Sequence, residues 1–230
     1  MVSKPEQTRE PQYQMLLDIK ERYGLTPLGL MINQAWREDP KRLAFTLARY
    51  KFVAKMLSGR KHVLEIGCAD AFCTRIVQQS VEKVTVTDFD PVFIADVKSR
   101  MDPKWPFADA LVHDMLAGPL PGRYDAAYAL DVLEHIDPER EHDFLGNLMQ
   151  SLTGEGIAII GTPSLESQDH ASAPSKAGHV NCKTGDALKI TLEQHFHTVF
   201  MFCMNDEVVH TGFFPMAQYL LGVACHPKIR

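Results

Sequence analysis

Apolar residues in the first sixty positions recur at helical spacing. Asp39-Pro40 reads as a helix start, with Asp39 as N-cap and Pro40 in the first turn, and Leu43, Leu47, Tyr50, Ala54 and Leu57 form one stripe up to Gly59. From Lys61 the pattern changes to short apolar runs at 62–66, 81–87, 110–113, 124–130 and 156–160, separated mostly by helical stretches. That alternation belongs to a parallel sheet covered on both faces. The clearest helix is 138–152, where Phe144, Leu145, Leu148, Met149 and Leu152 share a stripe, with Asp137-Pro138 at its start and Gly154 at its end. A helix at 184–195 is followed by runs at 197–204 and 218–226 that read as an antiparallel hairpin at the sheet's end. The expected architecture is an α/β, doubly wound, seven-stranded, mostly parallel sheet with its last strand antiparallel. Residues 1–60 form a helical N-terminal cap of the same domain, and 61–230 form its body.

The composition fits one soluble globular domain. The chain has 230 residues, 45% hydrophobic and 23% charged. Its net charge of -5 argues against nucleic acid or an anionic membrane as the main partner. The five cysteines form no CxxC pair, so neither a disulfide framework nor a structural metal site is expected. The polar start, without a long apolar run, reads as neither signal peptide nor membrane anchor, and a cytoplasmic location is expected. Oligomeric state is not readable.

Candidate chemistry concentrates in the stretch Val63 to Phe72, a strand ending in a tight turn of small residues that opens a helix. A dinucleotide-binding GxGxxG fails here, because Phe72 stands where the third glycine should be. The pattern E-x-G-x-[GA]-x-[GA] fits at Glu65, Gly67, Ala69 and Ala71. Alanine fits such a turn where φ stays negative. A carboxylate at the mouth of the turn repels a pyrophosphate and attracts a cationic ligand such as S-adenosylmethionine. Further acids, Asp70, Asp88, Asp114, Asp131 and Glu134, stand where strands are expected to end, and in open α/β sheets the ligand crevice lies off those ends. In Thr87-Asp88-Phe89-Asp90-Pro91, Asp90 reads as a helix N-cap, which leaves Asp88 free for the ribose hydroxyls of an adenosine ligand.

The segment from Lys61 to Ile160, through VLEIGCADA, VTDFDP, HDM and YDAAYALDVLEHI, resembles the class I S-adenosylmethionine-dependent methyltransferases. The resemblance implies that Glu65, Gly67 and Ala69 line the methionine moiety and that Asp88 binds the ribose. Asp114 then reaches the adenine amino group with Met115 beside it, and Asp131 flanks the sulfonium. Ala69 and Ala71 stand where the family usually has glycine.

The acceptor half falls to the cap, the turn from Asp131 to Asp137 and the Ser-, Pro- and Gly-rich segment 161–183, which reads as a lid over the methyl group. His179 on that lid and His135 after the fourth strand are the candidate general bases, with Asp131 shaping the site. His195-x-His197 and the scattered acids show no metal spacing, so no metal is expected. Trp36, Phe45, Tyr50 and Phe52 read as ordinary core rather than pocket wall. The Gly-Thr-Pro and later Gly-His-Val-Asn stretches resemble bacterial methyltransferases acting on sugars and other small polar metabolites. The leading expectation is O-methylation of a small-molecule acceptor such as a sugar or sugar nucleotide. The rivals are an N- or carboxylate-methyltransferase, a non-catalytic cofactor-binding module and, third, a nicotinamide oxidoreductase.

Overall fold

The computed structural model describes residues 6–228, so the first five residues of the polar start and the last two of the chain lie outside the described residues. The cap is three helices, α1 (Gln14–Tyr23), α2 (Leu30–Glu38) and α3 (Lys41–Met56). The body follows as β1 (His62–Ile66), α4 (Thr74–Gln78), β2 (Lys83–Asp88), α5 (Pro91–Ser99), β3 (Asp109–Val112), β4 (Tyr124–Leu130), α6 (Glu141–Ser151), β5 (Leu152–Pro163), α7 (Ala173–Gly178), α8 (Gly185–His195), β6 (Phe196–Asn205), β7 (Val208–His210) and β8 (Tyr219–Pro227). The strands lie in the order β3-β2-β1-β4-β5-β8-β6-β7. β1 to β5 pair in parallel, so their carboxyl ends share one edge of the sheet.

The sheet has eight strands, not seven. The extra one is the three-residue β7, hidden in what the sequence presented as a connection, and it pairs with the tip of β6. β8 is antiparallel as expected, but it lies inside the sheet between β5 and β6 and is hydrogen-bonded to both. Two expected end signals also differ. Asp39 makes no side-chain cap; it closes α2, and the first turn of α3 leans on its backbone carbonyl through Arg42 N. Gly154 does not stop α6, which runs out at Ser151 directly into β5. Asp90 does cap α5, accepting from Val92 N at 2.8 Å, and Asp137 accepts from Glu139 N at 2.9 Å.

Each central strand feeds both cores, because successive side chains alternate across the sheet. Val63, Val84, Val86, Ala126 and Tyr128 pack beneath α3, α4 and α5. Leu64, Ile66, Ala127 and Ala129 meet Phe144, Leu145 and Leu148 of α6 and Leu188 and Leu192 of α8. Tyr50 and Phe52 of the cap are core, whereas Trp36 is exposed. No helix among the described residues is long and apolar enough to cross a membrane.

Candidate active site

β1 ends beside Thr87 of β2 on one side and Ala129 of β4 on the other, which makes this the point where the strand order reverses. The turn after β1 is tight: Gly67 N and Cys68 N both donate to Thr87 O, and Ala71 N donates to Cys68 O. Gly67 has φ 72°, and a Cβ there would run into Val132 Cγ2. The expectation of negative φ at the alanines fails, since Ala69 has φ 45° and Ala71 φ 50°. Both hold the left-handed conformation that glycine adopts without steric cost. Side-chain bonds, one from β2 and one within the turn, fix that conformation. Asp88 Oδ2 accepts from Ala69 N at 2.9 Å, and Asp70 Oδ1 accepts from Phe72 N at 3.1 Å. Asp70 Oδ2 in turn accepts from Ile32 N in the first turn of α2 at 2.7 Å, and a Cβ at Gly29 would collide with the Asp70 side chain. The cap is thus seated directly on the turn.

Glu65 lies beneath this turn rather than facing the crevice. Its carboxylate is buried and accepts from Tyr50 Oη at 2.7 Å, Thr74 Oγ1 at 2.6 Å and Tyr128 Oη at 2.8 Å. Burial pushes its pKa up to about 7, against the lowering by the three hydroxyls. Asp88 ends β2 and also accepts from Asp90 N at 2.9 Å. Asp114 is exposed just past β3, where Asp88 O accepts from the neighbouring His113 N, and its Oδ1 accepts from Leu116 N at 2.9 Å. Met115 departs from expectation: its side chain is buried in the core with Leu120 and Leu145.

The other half of the edge lies after β4. Asp131, at φ 55°, is ion-paired with Arg49 of α3, whose Nη1 donates to both carboxylate oxygens at 2.7 and 3.0 Å, and the Arg49 guanidinium stacks 3.7 Å from the centre of the Tyr219 ring. Glu134 is buried; its Oε2 accepts from Thr162 Oγ1 at 3.2 Å while Oε1 has no partner. Burial first, and the Asp131 charge second, push its pKa up to about 8. His135 and His179 lie with ring centres 5.1 Å apart, although 44 positions separate them in sequence. Burial, with the neighbouring His135 second, holds His179 below the usual imidazole range.

The segment 161–183, read as a lid, is a folded excursion. β5 runs to Pro163, a bridge joins Ser164 to Lys183, and α7 lies between them. It is clamped to the β4 turn, because Glu134 O accepts from Val180 N at 2.8 Å and Asn181 N at 3.0 Å, and Gly178 O contacts His135 Nδ1 at 2.9 Å. This clamp brings His179 to His135. It also brings a Glu134 oxygen and one nitrogen each of His135 and His179 within 4.8 Å of one another, a grouping that sequence spacing did not show. Arg49, Tyr50, Thr74, Tyr128 and Tyr219 were not singled out for this site from the sequence. Tyr50 sits on an apolar stripe, Tyr128 and Tyr219 sit within apolar runs, and all five meet their partners only through the fold. The one local signal was the adjacency of Glu134 and His135.

Residues 63–156 match a family described as a methyltransferase domain. The mitochondrial ubiquinone biosynthesis O-methyltransferase of Schizosaccharomyces pombe is 30% identical over 110 residues, 46% of this chain and 39% of that one. A probable S-adenosylmethionine-dependent methyltransferase of Mycobacterium tuberculosis is 25% identical over 120 residues, 50% of this chain and 42% of that one. The chain therefore spans about two fifths of the length of these curated relatives. Among solved structures, N-methyltransferase NodS from Bradyrhizobium japonicum, in complex with S-adenosyl-L-homocysteine, superposes with a TM-score of 0.61 at 18% identity, over 84% of this chain and 91% of that one. That likeness extends the shared fold well beyond the matched segment. Residues 63–156 thus match a methyltransferase domain, and strand order and acidic sheet edge agree with the class I, S-adenosylmethionine-dependent kind.

Proposed function

We propose that the chain transfers the methyl group of S-adenosylmethionine to a hydroxyl of a small polar acceptor such as a sugar or sugar nucleotide. The observation that carries the reading is the pair of imidazoles, His135 and His179, brought to the same sheet edge as the glycine turn. In this reading Gly67 and Ala69 approach the methionine part of the cofactor, Asp88 takes the ribose hydroxyls and Asp114 the adenine amino group. Asp131 supplies negative charge near the sulfonium, and Met115 contributes only its backbone. Glu65 is a positioning residue that holds the turn from below through Tyr50, Thr74 and Tyr128.

Methyl transfer is an in-line displacement, accelerated chiefly by holding acceptor and cofactor aligned and dry. A neutral hydroxyl is a poor nucleophile and must shed a proton as it attacks. His135 and His179 are the groups beside Asp131 able to promote that loss. An acceptor nitrogen would make them dispensable. The relative named as an O-methyltransferase supports the oxygen reading.

Calorimetric titration of the purified chain with S-adenosylhomocysteine, with NAD in parallel, tests the cofactor. Binding of the first alone, weakened at least about tenfold by Asp88→Asn, is expected, because one oxygen that holds a backbone amide and is offered to the ribose becomes an NH2 donor. Labelled methyl transfer to a panel of hydroxylated and aminated metabolites then tests the acceptor. Transfer to amines alone would refute the oxygen reading.

A further inference from the structure

Of the four buried side-chain polar atoms without a hydrogen-bond partner among the described residues, three are Glu134 Oε1, Arg49 Nε and Tyr219 Oη. They belong to one group of residues: Arg49 pairs with Asp131, stacks on Tyr219 and shares its field with Glu134. Buried polar atoms are rarely left unpaired, so a concentration of them at one place marks a site built for something further. A Glu134 oxygen also lies within 4.8 Å of one nitrogen on each of two imidazoles, close enough for the three to share one ion.

Those imidazoles are held as metal ligands are held. His135 Nδ1 lies 2.9 Å from Gly178 O, and His179 Nδ1 lies 2.8 Å from Gln168 Oε1. A carbonyl oxygen only accepts, so Nδ1 carries the proton in both rings and each Nε2 keeps a free lone pair. Neither Nε2 has a hydrogen-bond partner among the described residues. Imidazoles that ligate metals are oriented in the same way, with the far ring N–H donated to an oxygen. Here both orienting oxygens come from the excursion between β5 and α8, so the clamp that closes the site also sets the tautomers.

We propose that Glu134, His135 and His179 bind a divalent transition-metal cation, zinc or manganese, which takes the acceptor hydroxyl as a further ligand. Two imidazoles and one carboxylate form a borderline donor set that leaves coordination positions open, the arrangement of a catalytic rather than a structural site. Open positions in excess of one favour an acceptor with two adjacent oxygens over an isolated alcohol.

The proposal rests on the hydroxyl reading above and refines it. Bound to the ion, the hydroxyl loses its proton to bulk water at the exposed His135 side of the site. The alkoxide oxygen then forms its bond to the methyl carbon as the carbon–sulfur bond breaks. That electron pair returns to sulfur, leaving S-adenosylhomocysteine and the methyl ether. The imidazoles thereby act through the ion instead of taking the proton themselves.

The test uses the full chain, stripped with a chelator and dialysed. Zn²⁺ and Mn²⁺ are titrated calorimetrically, and Co²⁺ serves as a visible-absorption probe of its ligand field. S-adenosylhomocysteine binding is measured on the same samples. The expected result is one ion per chain and a Co²⁺ spectrum typical of mixed nitrogen and oxygen ligands. His179→Ala and the milder His179→Gln should each weaken ion binding at least about tenfold while leaving S-adenosylhomocysteine binding intact. His179 is only partly buried, so these variants spare the core. Failure to bind any of the three ions overturns the metal site even where S-adenosylhomocysteine binds, and so does ion binding that survives loss of both His135 and His179. Ion binding lost in the variants, without any S-adenosylhomocysteine binding, upholds the metal site and sinks only the methyl-transfer reading.

Discussion

Glu65 makes the folded chain sensitive to pH. Its carboxyl is buried under the glycine turn and its pKa is pushed up from an ordinary 4.5 to about 7, so between those values the folded chain holds a proton that the unfolded chain releases. The group's contribution to stability is therefore complete below pH 4.5 and is lost as pH rises through 7. With about 1.4 kcal/mol per pKa unit, linkage gives a loss on the order of 2–3 kcal/mol between pH 5 and pH 8. For a chain of this size that corresponds to roughly 5–10 °C in melting temperature. Glu134 shifts in the same direction, so the wild-type profile alone is not diagnostic. Glu65→Gln isolates the effect, since the amide keeps the shape and an acceptor for Tyr50 or Thr74 but cannot ionise. Urea unfolding of both proteins from pH 5 to pH 8 should show the variant gaining on the wild type as pH rises. A stability difference that stays constant across the range would refute the reasoning.

Three further outcomes follow from the turn and the cap. Ala69→Gly should stabilise the chain by about 0.5–1 kcal/mol in urea unfolding, because left-handed strain of about 1–2 kcal/mol is relieved against the entropy of glycine; destabilisation would mean the alanine methyl is well packed. Gly67→Ala should cost at least about 1–2 kcal/mol and abolish S-adenosylhomocysteine binding, and adding Val132→Ala should restore only part of the stability, since φ stays positive. Arg49→Met should cost about 1–2 kcal/mol through the lost stacking on Tyr219 and the lost ion pair, moderated because Asp131 is 40% exposed and can hydrate; no change by thermal melting would show the pair to be idle.

The central five strands were legible because buried parallel strands are written as local apolar runs, and Asp90 and Asp137 were legible because a cap is a signal within three residues. Gly154 misled for the opposite reason: α6 stops where Leu152 must enter the sheet, and tertiary pairing outranks a local breaker. β7 was unreadable, since three residues at a sheet edge carry no period. The turn after β1 and the acid that ends β2 showed themselves through the spacing of Glu65, Gly67, Ala69 and Asp88. The cluster after β4 did not, because Arg49 meets Asp131 across 82 positions and His179 meets His135 across 44. Such pairings depend on loop closure, which leaves no mark on spacing.

The position of β8 bears on how the chain is made. Residues 219–227 fill the gap between β5 and β6, so until they leave the ribosome the segment from Ile157 to Pro163 has an open, apolar edge and the strand from Phe196 to Asn205 lacks its main partner. Open strand edges of this kind are where nascent chains stick to one another. The half that carries the glycine turn can assemble early, but the finished sheet has to wait for its interior strand. A chain cut before Tyr219 should then fail by aggregating, not by folding into a smaller version of itself.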